Sequence, residues 1–485
     1  MSVASPPRTG RAAPGATRAV VEERPLRHPD TGSAEMMSRR GWWLVLGNFL
    51  VPGSAQVLAG NRRLGRIGLS ATLVMWALVV LGILTALLWR SVLFVLATNW
   101  FFLLLAQVAL VAYAILWIVL TVDTLRLVRL IKAGPFARVG IAGLSVVLLA
   151  VAGGGAAYAA NLAGVTRDTL GSIFGAGAPV VPPSDGYYNI LLLGADSGEG
   201  RDSLRFDSIS VVSVNADTGA ATITGIPRDM VGVPFSDGPM HDLYPDGFTG
   251  QGSATCGWDG HMNHVRWAAE ICREDGGAGL YPDAAARGSE PGIEATKDAA
   301  EGVLGIEIPY YVFVDMHGFA ALIDALGGVD ITVEQRLPEG GGPSYTGQPA
   351  EEWATGWIEA GPQHMDGDTA QWYARSRYTT SDWDRMQRQR VLQQAILAQF
   401  TPQNVLARFQ DVAAAGSDIV QTDLPQSLLP ALSELALKAR DLPVQTLELT
   451  PSPGGIGVEP EDPDWAYIHE TVDATLHPPV EGSSS

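Results

Sequence analysis

Cysteine is nearly missing from this 485-residue chain, which has two. An even pair with no third partner excludes a cysteine-built metal cluster and leaves one disulfide or two buried thiols. Cations are scarce as well, but only in one part: residues 161–485 hold 17 Lys and Arg against 46 Asp and Glu. A surface that acidic repels phosphate backbones, so nucleic acid is excluded as a partner of that segment. No internal repeat is visible. The opening stretch of about 40 residues is polar, and the apolar material after it runs far beyond one short apolar core, which excludes an ordinary secretory signal.

What the chain does have is long apolar runs. Residues 67–89, 99–122 and 139–160 each supply about 20 apolar positions, enough at about 1.5 Å per residue to cross a hydrocarbon core of about 30 Å. Basic residues near span ends stay cytoplasmic, and Arg39 and Arg40, then Arg62, Arg63 and Arg66, then Arg126, Arg129, Lys132 and Arg138 mark three such junctions. Residues 42–59 are apolar but broken at Pro52-Gly53. A re-entrant or interfacial hairpin there keeps both flanking basic clusters inside, whereas a full crossing would separate them. The expectation is a multi-pass protein of the plasma membrane. It has a disordered cytoplasmic tail (1–41), a membrane region (42–160, with the hairpin at 42–59), a stalk (161–186) too polar and broken to pack, a folded domain outside the cell (187–475) and a disordered end (476–485). An oxidising exterior allows Cys256 and Cys272 to close a disulfide.

The outer domain reads as α/β. Tyr188–Gly194, Ile209–Asn215, Ala221–Ile226, Ile308–Val314 and Val329–Val333 have strand character. Residues 293–304, 384–400, 403–414 and Leu424–Leu437 read as helices, as does Met316–Leu326 before the Gly327-Gly328 stop. Strands alternating with helices imply an α-β-α sandwich around a largely buried sheet.

Eight of the outer segment's 17 cations fall in three places: Arg201 and Arg205; Arg228; and Arg375, Arg377, Arg385, Arg388 and Arg390. Guanidinium forks match phosphate oxygens bidentately, so the clustering points to an anion site. The loop 196–208 leaves one strand and enters another, at the sheet edge where ligands of open α/β sheets bind. Its carboxylates suit Mg²⁺, although a solvated turn has the same composition. Ile226-Pro227-Arg228-Asp229 ends a strand toward that edge, with a surface ion pair as the plain alternative. Arg375 and Arg377 have period-two spacing and share one side if extended. Asp382 caps a helix on which Arg385, Arg388 and Gln389 fall on one face, the alternative being a solvent-facing stripe.

Asn189-Ile190-Leu191-Leu192-Leu193-Gly194-x-Asp196, Arg205-x-Asp207-Ser208, Ile226-Pro227-Arg228-Asp229, Leu326-Gly327-Gly328-Val329-Asp330 and Met365-Asp366-Gly367-Asp368-x-Ala370 occur in order. Arg375-Ser376-Arg377 and Asp382-x-x-Arg385-x-x-Arg388-Gln389 follow them. This series resembles the LytR-CpsA-Psr family over residues 187 to about 400. The resemblance implies a phosphotransferase on the outer face of the membrane that moves a glycopolymer phosphate from a polyprenyl-pyrophosphate carrier to a peptidoglycan sugar hydroxyl. It implies Arg205, Arg228, Arg375, Arg377, Arg385 and Gln389 as pyrophosphate contacts, and the helical face adds Arg388. It implies Asp196 and Asp207 as ligands for Mg²⁺ (or Mn²⁺). Arg228 and Arg375 are read as catalytic, with Asp382 as the proton acceptor and Asp229 as a weaker candidate. Gly198 and Phe206 depart from the family pattern, with Arg201 as a substitute cation. The stretch 237–292 looks like an insertion, apart from Asn263 and Ala268. Two other readings keep the anion site: a polyprenyl-pyrophosphate pyrophosphatase, and a non-catalytic membrane receptor for polyprenyl phosphates.

Overall fold

The structure, a computed structural model, describes residues 26–27, 29–174, 180–195, 205–253, 256–340, 342–376, 378–399, 420–439, 442–451 and 454–478. The expected helix at 403–414 and most of the two terminal tails lie outside these residues. The chain forms two units: residues 1–84 with 107–161, and residues 85–106 with 162–485.

In the first unit, α1 (Ala34–Leu50) and α2 (Ser54–Ala59) meet at the turn containing Pro52-Gly53. Gly53 is left-handed there, with φ of 94°, a conformation that glycine adopts without strain. Three helices are long and apolar enough to cross a membrane: α3 (Arg62–Leu88), the helix beginning at Trp100, and the helix beginning at Pro135. Between the first two lies α4 (Arg90–Thr98); α5 spans Trp100–Val128 and α6 spans Pro135–Ile173. The expected stalk is therefore helical through Ile173. Its Ala- and Gly-rich start has no proline before Pro179, so nothing through Ile173 stops a helix.

The second unit is built on a mixed six-stranded sheet. Its strands are β1 (Tyr187–Ala195), β2 (Phe206–Asn215), β3 (Ala221–Ile226), β4 (Tyr310–Asp315), β9 (Val420–Thr422) and β10 (Gln445–Glu448), in the order β10-β3-β2-β1-β4-β9. β1 runs parallel to β4 and antiparallel to β2; β10 runs parallel to β3. Alternation along β1 splits the apolar residues between two faces. Leu191 and Leu193 enter the main core with Phe206, Val211, Tyr311 and Phe313, while Ile190 packs with Tyr310, Leu424 and Leu428 on the other face. The main core also takes residues from α8 (Pro291–Leu304) and α14 (Trp465–Leu476), as well as Met240 of α7 (Pro239–Leu243). Helix α4 packs on α13 (Leu429–Lys438), and Gln426 donates to the carbonyl of Thr98.

One feature differs from the sequence expectation. Val329–Val333 (β5) forms a strand but pairs with β8 (Gly361–Met365), apart from the main sheet. A second ribbon joins β6 (Leu337–Glu339) to β7 (Gly356–Ile358). Together with α9 (Met316–Leu326), α11 (Gly367–Arg375) and α12 (Asp382–Gln399), these ribbons enclose a smaller core of Ile323, Val329, Ile331, Met365, Tyr373 and Leu392. Residues 237–292, which look like an insertion in sequence, are packed into the fold. Met240, Phe248, Trp258, Met262, Val265 and Ala269 from this stretch are buried in the main core.

Candidate functional site

Strand register gathers Arg205, Asp207 and Arg228 at one end of the main sheet. Ala195 is paired with both Phe206 and Asp315, Ile209 with Ile226, and Glu448 with Gly225. The starts of β2 and β9 and the ends of β1, β3, β4 and β10 therefore share an edge. Arg205 and Asp207 flank or open β2, and Arg228 lies two residues beyond β3. Arg228 Nη1 and Asp207 Oδ1 form an ion pair. Arg205 is exposed and lies over the Trp267 ring, 4.6 Å from its centroid. Asp196 and Arg201 belong to residues outside the described set.

A second group sits where α11 meets α12. Arg375 is not extended: it is the last residue of α11, so the period-two reading fails for it. Asp366 caps that helix by accepting from the amide of Thr369, and Ala370, Tyr373 and Ala374 are buried at helical spacing, which overrides the local alternation. The Arg375 guanidinium lies 5.6 Å from the centre of the Trp372 ring. Arg377 lies outside the described residues. Asp382 opens α12, but Ser381 caps it: Ser381 Oγ accepts from the amide of Asp384, and Asp384 Oδ2 accepts from the amide of Ser381. The Ser381 amide and hydroxyl, both donating to Oδ2, hold the Asp384 carboxyl below the usual carboxylate range.

Helix α12 carries the second group toward the first. Gln394 reaches the carbonyl of Val444, just before β10, whereas Arg390 Nε lies 2.7 Å from Glu448 Oε1, at its end. Moving toward the start of α12 therefore moves toward the edge that holds Arg205 and Arg228. At about 1.5 Å per residue, Arg385 lies roughly 7 Å beyond Arg390 along the axis. Arg385 is buried, at 4% exposed. Arg388 is spoken for differently: its Nε donates to Tyr373 O at 2.9 Å, its Nη1 to Thr380 Oγ1 at 3.2 Å, and its Nη2 to Ser376 O. Burial lowers its pKa. This geometry assigns Arg388 to holding the α11–α12 turn. Gln389 reaches the carbonyl of Ala374 at 3.4 Å.

Two acids adjoin Arg228. Asp207 is 40% exposed in its side chain and gives one oxygen to Arg228. Asp229 Oδ1, in the next residue along, is buried with no hydrogen-bond partner among the described residues. Hard divalent ions take such carboxylates together with water and phosphate oxygens.

Residues 256–272, of which the sequence singled out Cys256, Asn263, Ala268 and Cys272, form a wall beside Arg228. The amide of Asn263 donates to the carbonyl of Arg228 at 2.9 Å, and that of Met262 to Met230 at 2.8 Å. A π-helical turn, Trp267–Ile271, follows and carries the ring under Arg205. Cys256 and Cys272 form the disulfide that closes this wall. Behind Trp267, burial first and the Arg205 and His261 charges next push the pKa of His264 down to about 4. The dense His261-x-x-His264-x-x-Trp267 spacing was the available signal.

The chain is also similar to proteins already known. The chain is 26% identical over 256 residues to Biofilm regulatory protein A of Streptococcus mutans, covering 50% of this chain and 52% of that protein. It is 27% identical over 240 residues to the polyisoprenyl-teichoic acid–peptidoglycan teichoic acid transferase TagU of Bacillus cereus, covering 49% and 61%. It thus spans between half and two thirds of the curated relatives it matches. The crystal structure of B. subtilis TagV aligns with 60% of this chain and 97% of its own at 21% identity, with a TM-score of 0.40, too low to add weight. Residues 169–458, more than half of the chain, match the LytR_cpsA_psr family, and the chain belongs to that family.

Proposed function

We propose that this protein transfers a glycopolymer phosphate from a polyprenyl-pyrophosphate carrier to a sugar hydroxyl of peptidoglycan, attaching the polymer to the cell wall. The observation that carries the reading is the meeting of Arg205, Asp207 and Arg228 at one sheet edge, with α12 leading Arg385 and Gln389 toward it. The transferase name of the TagU relative supports it.

Phosphoryl transfer asks a protein for charge neutralisation and alignment more than for covalent chemistry. In this reading Arg205, Arg228, Arg375, Arg377 and Arg385 hold the diphosphate oxygens with their planar forks, and Gln389 adds a neutral donor. Asp196 and Asp207 would hold Mg²⁺ or Mn²⁺, which when bound supplies further neutralisation of the phosphate oxygens. The sugar hydroxyl attacks the phosphorus next to the glycan, Asp382 accepts its proton, and polyprenyl phosphate leaves.

The same reading places the three long helices across the plasma membrane, the N-terminus in the cytoplasm and the sheet unit outside. Two observations support that orientation. The disulfide suits an oxidising compartment, and α4, between the first two long helices, packs on α13 of the sheet unit.

The test is incubation of the full chain in detergent with a lipid-linked glycan, with and without peptidoglycan fragments. A glycan–peptidoglycan conjugate is expected. Phosphate release without acceptor would replace the reading with a pyrophosphatase, and binding without turnover would replace it with a receptor.

A further inference from the structure

The wall beside Arg228 contains a side-chain set that the transfer reading does not use. Asp259, His261 and His264 each present a ligand atom within 4.8 Å of the others. We propose that these three residues form a Zn²⁺ site. Two imidazoles and one carboxylate favour a borderline first-row ion such as zinc over Mg²⁺, which prefers oxygen donors.

Several observations set this group apart from a chance surface cluster. The segment is fixed to the sheet edge by backbone pairing: His261 bridges to Val231, Met262 N donates to Met230 O at 2.8 Å, and Asn263 N to Arg228 O at 2.9 Å. His264 is 3% exposed, His261 is partly exposed and Asp259 faces solvent, so the set runs from the interior to water. The two imidazole rings lie nearly parallel, 5.5 Å apart between centroids and inclined by 10°. The amide of Asp259 approaches His264 Nδ1 at 3.4 Å, too long to fix the ring in one tautomer. Tetrahedral zinc with bonds of about 2.0–2.1 Å requires its ligands about 3.4 Å apart. Side-chain rotation on this anchored backbone closes the remaining gap. Three protein ligands leave a fourth position for water.

The site connects to the anion pocket through rings. His264 lies 6.1 Å from Trp267, and Trp267 carries Arg205 over its face. A metal that locks His264 therefore also fixes the platform on which Arg205 rests, making the three ligands positioning residues for that arginine. Metal binding itself does not depend on the transfer reading; only this consequence does.

The experiment uses tag-free full-length protein in detergent, stripped with EDTA and titrated with Co²⁺ and then Zn²⁺. One equivalent of Co²⁺ should bring up a visible d–d band that Zn²⁺ displaces, and Zn²⁺ should raise the unfolding temperature. In His261→Gln, whose side chain is partly exposed and whose backbone bridge is untouched, the band and the thermal shift should both disappear, with the far-ultraviolet spectrum and the disulfide unchanged. No saturable band in the wild type, or equal uptake by wild type and His261→Gln, overturns the proposal. Failure of glycan transfer alone would not, because the band is read without substrate.

Discussion

Removing Arg390 should unseat the helix that brings the second group of arginines to the site. Arg390 and Glu448 form an ion pair at 2.7 Å, with side chains 4% and 11% exposed, laid over Gly225 of β3. A Cβ at position 225 would lie 2.8 Å from Arg390 Nη2, which is why a glycine interrupts that strand. Arg390→Ala leaves a buried carboxylate unpaired, at a cost of about 3–5 kcal/mol. For a domain of this size that corresponds to a fall in unfolding temperature of about 5–8 °C.

The loss should depend on pH in a known direction. Burial already raises the Glu448 pKa above the ordinary carboxylate value, and Arg390 works against that rise. Without Arg390 the folded-state pKa climbs further above the unfolded one. The group then opposes folding once pH exceeds the unfolded value, and protonation relieves it below. The deficit should therefore be large at pH 8 and shrink toward pH 5. Arg390→Met combined with Glu448→Leu should recover most of the stability, since an apolar pair of similar volume replaces a buried ion pair at little cost. Unfolding followed by tryptophan fluorescence on the full chain in detergent reads all three proteins. A deficit under about 1 kcal/mol, or one flat between pH 5 and 8, would refute the argument.

Arg228→Ala should lower conjugate formation by about 10²–10³-fold, the usual range for losing one donor to transition-state charge, while the half-exposed pair with Asp207 costs at most about 1 kcal/mol of stability. Assay of conjugate beside a melting curve checks both. Opening the disulfide with Cys256→Ser and Cys272→Ser frees a loop with a sequence separation of 16 and should cost about 3 kcal/mol, measured by denaturant titration. Asp298 accepts from the Tyr281 hydroxyl at 2.5 Å, and burial raises its carboxyl to about 6. Its ionisation opposes folding above the unfolded value, so Asp298→Asn should stabilise the protein at pH 7.5 by up to about 3 kcal/mol, with the gain vanishing toward pH 4.

Strands with continuous apolar runs, such as 190–193, and helices closed by glycine, such as Met316–Leu326 before Gly327, were legible because their signals are local. Which strands share a sheet was not. β5 reads like a central strand, yet its partner at 361–365 has the sequence Gly-Pro-Gln-His-Met and little strand character. Arg375 was misplaced because an alternation of two residues looks extended when the capping Asp366 nine positions earlier is not weighed. Arg388 reads as a ligand in sequence and becomes a brace in space, since a guanidinium matches backbone carbonyls as well as phosphates. The wall at 256–272 gets its role only from tertiary contact with the Arg228 backbone, which no local pattern reports.

Helix α12 belongs to two cores at once: Leu392 enters the small ribbon core, while Arg390 locks onto the main sheet. The proposed anion pocket therefore lies on a seam between two cooperative blocks. The ribbon block has the smaller apolar core, so it is the one to open first under mild denaturant. Hydrogen exchange should reveal the order, with amides of α11 and α12 exposed in openings that leave β1 and β2 protected. Chemistry would then be lost well before the molecule unfolds.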